Sequence, residues 1–259
     1  MKLTSNLSLV LLMCLPLAFA CKKSGEPSEK PVVAKKVLSR IIHVDNDNKT
    51  SFSVFNYDEK VRLKSVTNGS TTDVYRYDGE DLSYVEYWLG TNKTENTVSY
   101  VDKKPVKTVR KMYNTGTLVK EMTMGYIYGT GNYPTEIHVT EAGIVQVKEK
   151  YQYSANSNVT RIESQSNVLI ITEFTYDNNK NRFTNSMLGY TIYGEPYDRL
   201  SPNNVLKEKI IYPDGSYLEI NNTYTYDADG FPVTRVSKAL HSIAGNVGTE
   251  KYTYEYQML

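Results

Sequence analysis

Cysteine is nearly absent from this chain. Its 259 residues include two, Cys14 and Cys21, both near the amino terminus. Everything after them lacks disulfides and a thiol nucleophile, so packing and strand pairing must hold the fold. Excess charge is absent too: 30 Lys and Arg stand against 29 Asp and Glu, a net of +1. No net field gathers nucleic acid or an acidic substrate. Beyond the first twenty residues, no apolar run approaches the about 20 residues a membrane-spanning helix needs. No stretch shows helical periodicity over three turns.

Catalytic signatures are missing. H-E-x-x-H, G-x-S-x-G and G-x-x-x-x-G-K-[ST] do not occur. His43, His138 and His241 stand alone in the sequence and read as surface or core residues. Asp45-Asn46-Asp47-Asn48 begins like a calcium loop, but Lys49 takes the third ligand place and no closing Glu follows in register. Asp227-Ala228-Asp229-Gly230 reads as a hairpin turn that needs no metal. No catalytic residue, metal ligand or cofactor is expected.

The amino terminus carries a clear signal. Lys2 is followed by an apolar stretch from Leu7 to Ala20 that ends in small residues. That order marks a secretory signal over 1–20. Ala18-Phe19-Ala20-Cys21 resembles the lipobox of bacterial lipoproteins, with Leu17 one place further from the cysteine than that family prefers. The resemblance implies that Cys21 is lipidated and becomes the new amino terminus. Lys22, where an Asp would imply retention at the inner membrane, points to the outer membrane, with the cell surface slightly favoured over the periplasm. Residues 21–36 are rich in Lys, Ser, Glu and Pro and read as a solvated tether.

From 37 to 259 the sequence repeats. An aromatic-x-Tyr pair followed by a polar turn occurs at Phe55-Asn56-Tyr57, Tyr75-Arg76-Tyr77, Tyr126-Ile127-Tyr128 and Tyr151-Gln152-Tyr153. It recurs at Phe174-Thr175-Tyr176, Tyr224-Thr225-Tyr226 and Tyr252-Thr253-Tyr254, with Val98-Ser99-Tyr100 a weaker copy. The second tyrosines are 20, 23, 28, 25, 23, 50 and 28 residues apart. The step of 50 reads as two periods with an irregular copy inside. A second turn lies within each period, as at Asn68-Gly69 and Ala142-Gly143, so each period is one β-hairpin. Side chains alternate: Tyr252, Tyr254 and Tyr256 oppose Lys251, Thr253 and Glu255. One face is therefore apolar and aromatic, the other wet.

The expected fold is all-β: an antiparallel meander of about 14–16 strands, forming a strongly curled sheet or a large incomplete barrel. A transmembrane barrel is the competing architecture. It requires a charge-free lipid-facing band, and Lys and Glu occupy the middle of one face while Val and Tyr hold only the other.

Tyr57-Asp58-Glu59-Lys60-Val61-Arg62-Leu63 and Tyr226-Asp227-Ala228-Asp229-Gly230 resemble the YD repeat of Rhs-type proteins, with Val61 in place of a glycine. The chain as a whole resembles uncharacterised Bacteroidetes-type surface lipoproteins built of such hairpins, some with a porin-like fold. The resemblance implies an extended β-architecture and says little of activity.

Two places could carry binding. Tyr84, Tyr87 and the lone Trp88 offer aromatic faces to a sugar or an apolar ligand; the same trio also reads as a cross-strand cluster filling the core. The break in the repeat, 188–206, holds Tyr190, Tyr193 and Tyr197 and reads as a long loop, either a lid or a plug over a sheet edge. The expected role is non-enzymatic: an outer-membrane lipoprotein that binds a glycan, peptide or lipid, joined to the membrane by its lipid and without nucleic acid as a partner. The alternatives are a structural cell-surface scaffold, and a glycan hydrolase with carboxylates assembled from distant strands.

Overall fold

Thr, Val, Tyr and Ile alternate with charged residues along this chain, and Asn, Asp and Gly punctuate the runs, so strands are what it can build. The computed structural model describes residues 34–184 and 201–259. Among the described residues there are sixteen strands and no helix. The first eight are β1 Lys36–Val44, β2 Thr50–Tyr57, β3 Leu63–Asn68, β4 Thr71–Asp78, β5 Asp81–Leu89, β6 Asn92–Val101, β7 Lys104–Asn114 and β8 Thr117–Tyr128. The rest are β9 Pro134–Glu141, β10 Ile144–Tyr153, β11 Val159–Gln165, β12 Leu169–Lys180, β13 Asn203–Ile211, β14 Tyr217–Tyr226, β15 Pro232–His241 and β16 Gly245–Met258.

Each strand pairs antiparallel with the next, and β1 pairs with β16, so the meander closes into a barrel. The expectation of a curled sheet or incomplete barrel is corrected here. An open meander would leave the backbone groups of two edge strands unpaired. Instead, residues from Lys36 to Val44 pair with residues from Lys251 to Met258.

Closure reuses a device found at every junction between hairpins. Asn56 and Tyr57 face Ser65 and Leu63, so Lys64 is an extra residue on β3. The same shift precedes Tyr77, Tyr100, Tyr128, Tyr153, Tyr176 and Tyr226. At the closing seam Glu255 and Tyr256 face Arg40 and Leu38. A bulge disrupts the ladder locally, and buried carbonyls there need donors. Tyrosine hydroxyls supply them. Tyr57 donates to the Leu38 carbonyl, Tyr77 to Leu63, Tyr100 to Leu82 and Tyr128 to Pro105, at 2.7–2.9 Å. Tyr153 donates to Pro134, Tyr176 to Val159 and Tyr256 to Pro232, at 2.6–2.8 Å. These carbonyls belong to residues packed inside the barrel, such as Leu38, Leu63 and Val159. Phenylalanine fills the same volume without the donor, which accounts for tyrosine at these seven positions.

Two expectations about the repeat change. The last copy belongs one pleat later, at Tyr256, because Tyr256 and not Tyr254 faces the bulge. The step of 50 is one period with an insertion, because β12, β13 and β14 form one continuous part of the meander around residues 181–202. In that unit Tyr226 donates to Asp177, and Asn222 and Tyr224 serve the Val205 carbonyl.

The aspartate of the Tyr-Asp turns closes them. Asp58 Oδ1 accepts from the Lys60 and Arg62 N–H groups, and Asp227 Oδ1 from those of Asp229 and Phe231. The fourth residue is left-handed in both: Gly230 at φ 80° and Val61 at φ 60°. Only glycine adopts that region without cost.

The barrel is packed at the tyrosine end. One buried cluster holds Leu38, Phe55, Leu63, Tyr75, Val85 and Tyr254; a second holds Tyr126, Tyr151, Val159, Phe174 and Val205. Cover is lost toward the other end: on one face of β5, Val85 is 0% exposed and Leu89 77%.

Two substitutions test this account. Val61→Gly relieves a left-handed β-branched residue and is expected to raise unfolding stability by about 1 kcal/mol in urea titrations. Tyr128→Phe orphans the Pro105 carbonyl and is expected to cost about 1–3 kcal/mol, while Tyr87→Phe stays near neutral.

Candidate binding surface

The pleat divides the wall into an inner face and an ionic outer face. Outside, Arg161 pairs with Glu163 and Glu173, Lys148 and His138 with Glu136, Lys207 with Glu219, and Lys111 with Glu121. Exposed pairs of this kind add about 0–1 kcal/mol each, so they do not explain stability. Their weight lies elsewhere. A Lys or Arg on the lipid face of a barrel costs about 2–4 kcal/mol at the bilayer midplane, and these cations sit within the strands. Such a wall is costly to set against lipid.

The aromatic trio of β5 is split by the pleat. Ser83 and Tyr84 are consecutive at a bulge, because Arg76 faces Tyr84 while Tyr77 faces Leu82. Parity shifts there. Tyr87 points inward against the first cluster, and Tyr84 and Trp88 stand outside. The reading of all three as one cluster filling the core is therefore corrected.

Between Tyr84 and Trp88, on the same outer face, lies Glu86. Its carboxylate accepts from the Tyr84 hydroxyl at 2.8 Å and from Trp88 Nε1 at 2.9 Å. The Trp88 bond, with the Tyr84 bond adding to it against partial burial, holds the Glu86 pKa below its usual value. Burial, then Glu86, pushes the Tyr84 hydroxyl up. The neighbouring strands extend the array. Lys93 Nζ binds Glu95 at 2.6 Å and lies 4.6 Å from the Tyr113 ring centroid and 5.8 Å from that of Trp88. Tyr113 donates to Glu95 at 3.0 Å, and Arg76 lies over Tyr84 at 4.8 Å. Trp88 remains 42% exposed. Beside it runs an open groove of about 550 Å³ lined by Ser70, Thr71, Thr72, Val74, Glu86 and Gly90. Glu86, Lys93, Glu95 and Tyr113 escaped the sequence reading, although Tyr84-x-Glu86-x-Trp88 already has the period of a strand face.

Inside the barrel, Arg110 Nε donates to Asn96 Oδ1 at 2.9 Å, and Thr108 bonds Tyr126. The three histidines do not converge: His43 faces the interior, His138 lies on the outer wall and His241 closes β15. Ser51 Oγ lies 3.4 Å from His43 Nδ1, and His43 Nε2 lies 3.3 Å from Glu250. The order is that of a hydrolytic triad, and it lies at the open end of the β1–β2 ladder, where His43 pairs with Ser51 and Val44 with Thr50; Glu250 also accepts from the Tyr252 hydroxyl. Among the described residues no three His, Cys, Asp or Glu side chains group as metal ligands.

The insertion after β12 has a rigid neck. Asn203 bonds Asn158 and the Asn179 carbonyl, Asn204 bonds Asp177 and the Lys180 carbonyl, and Ser201 bonds Tyr176. Phe183 is buried against Phe55 at a centroid distance of 6.3 Å. The described flank thus plugs the tyrosine end, and Asn203 to Leu206, expected in the loop, belong to β13. Tyr190, Tyr193 and Tyr197 lie outside the described residues, as does Cys21.

No protein-family model and no curated protein matches this chain. Solved structures do. A porin-like protein of Bacteroides uniformis superposes with a TM-score of 0.58 at 14% identity, over 85% of this chain and 96% of that one. A porin-like protein of Bacteroides vulgatus gives 0.55 at 11% identity, over 86% and 99%. At these identities the likeness is one of fold: this chain has the porin-like barrel.

Glu149, inside the barrel, offers a test of the interior. Burial raises its pKa above the usual 4.5, against hydrogen bonds from Tyr151 and Ser164. A raised carboxyl favours folding most below the unfolded pKa, and that contribution is lost as pH rises through the folded pKa. Glu149→Gln is expected to raise the Tm relative to the parent by an amount that grows from about pH 4.5 toward 7.

Proposed function

We propose that this chain is a lipid-anchored barrel of the outer membrane whose role is binding, without catalysis or conduction. Its ionic outer wall supports a barrel that stands in water on a tether rather than within the bilayer. Packing at the tyrosine end, with Phe183 among the buried residues, argues against a pore. Cys21 would carry the lipid, and several acyl chains on one residue suffice for stable anchoring. The observation that carries the binding role is Trp88. Its indole is oriented by the Glu86 carboxylate, stays 42% exposed, and borders an open groove, so a flat aromatic face is presented to a ligand.

A purely structural scaffold is the second reading, favoured by the extent to which tyrosines are consumed in packing. It predicts that replacing Trp88 changes no association of the protein.

Anchoring and conduction are tested together. The full chain is expected to fractionate with the outer membrane, Cys21→Ser to be released in soluble form, and the purified protein to give no stepwise conductance in planar bilayers. Channel openings, or a Cys21→Ser protein that still resists extraction, would contradict the proposal.

A further inference from the structure

We infer that the outer-wall groove beside Trp88 binds a neutral saccharide chain, with a pyranose ring stacked on the indole. This rests on the binding role proposed above and names its ligand class.

The chemistry of the groove selects the class. An indole face is electron-rich and attracts the positively polarised C–H face of a sugar ring. Trp88 is held for this by its Nε1 bond to Glu86, so little rotamer freedom is lost on contact. Next to the indole the groove is lined by Ser70 in the β3–β4 turn, by Thr71 and Thr72, whose hydroxyls bond the Asn68 carbonyl and Thr67 and can accept a further bond, and by the Glu86 carboxylate on β5. Those are partners for ring hydroxyls; Val74 alone is apolar, too little for a lipid tail. A cationic ligand is disfavoured, because Lys93 already occupies the niche between Trp88 and Tyr113. An anionic one is disfavoured on the groove side by Glu86. The groove is shallow and open, which suits an extended polymer crossing the wall rather than an enclosed small molecule.

Trp88 is the sole tryptophan, so intrinsic tryptophan emission reports this site alone. The full chain is titrated with neutral hexasaccharides of glucose, xylose and mannose while that emission is followed, and affinity electrophoresis in the corresponding polysaccharides is run in parallel. At least one sugar is expected to shift the emission and retard migration. Trp88→Ala is expected to weaken retardation about tenfold or more, the loss typical of a central aromatic anchor. Glu86→Gln is expected to weaken it several-fold, and Phe52→Ala, an outer-wall aromatic elsewhere, to leave it unchanged. Thermal unfolding of each variant checks that the barrel is intact. Absence of any response across the sugars overturns the saccharide assignment, as does retardation that survives Trp88→Ala. An emission shift with a neutral peptide instead of a sugar overturns the saccharide class while leaving the binding role standing. Loss of membrane fractionation bears on the anchor and not on this site.

Discussion

The bond from a tyrosine hydroxyl to a backbone carbonyl is the interaction on which this barrel depends. A meander of hairpins must bend at every junction to close, and it bends by inserting one residue into each odd strand. Each insertion disturbs the ladder beside a buried carbonyl. In a barrel whose described residues hold no cysteine, that deficit has to be met locally. An unpaired buried carbonyl costs about 1–3 kcal/mol, and a barrel with one at each of eight junctions would lose about as much as the whole stability of a usual domain. Tyrosine meets the deficit and fills the interior with the same side chain.

The division of labour across the wall follows. Because hydroxyls and rings settle the inner face, the outer face is left to charge, and it is laced with ion pairs whose value is solubility more than stability. The proposed recognition then has two places to reside. The inner face is committed to packing at the tyrosine end. The outer face carries, at β5 and β6, a tryptophan fixed by Glu86 and flanked by Lys93 and Glu95. That arrangement offers stacking and hydrogen bonding, the chemistry on which the proposed binding role rests.

Much of the architecture was legible in the sequence. The spacing of Tyr57, Tyr77, Tyr100 and Tyr128 gave the hairpin period, and the alternation around Tyr252 and Tyr254 gave the two faces. The bulges were not legible, because one extra residue such as Lys64 or Ser83 leaves no mark in composition. Everything that depends on them was lost with them: the outward turn of Tyr84 and Trp88, the role of Glu86, and the placement of Tyr256 as the last repeat. Closure was hidden for the same reason, since the bulge at Ser39 that matches β1 to β16 has no local signature. The insertion around 181–202 mimicked an extra period because its length is close to that of one hairpin.

The central claim is that β1 and β16 are joined by the same seam as every other junction, which makes the barrel closed. Amide hydrogen exchange on the native full chain tests this directly, because an open sheet would leave β1 and β16 as fraying edges. The account predicts that amides of Ile41, Ile42, Thr253 and Tyr254, paired across that seam, are as protected as those of Phe174 and Lys207 in β12 and β13. Rapid exchange confined to β1 and β16 would contradict closure and return the molecule to an open, curled sheet.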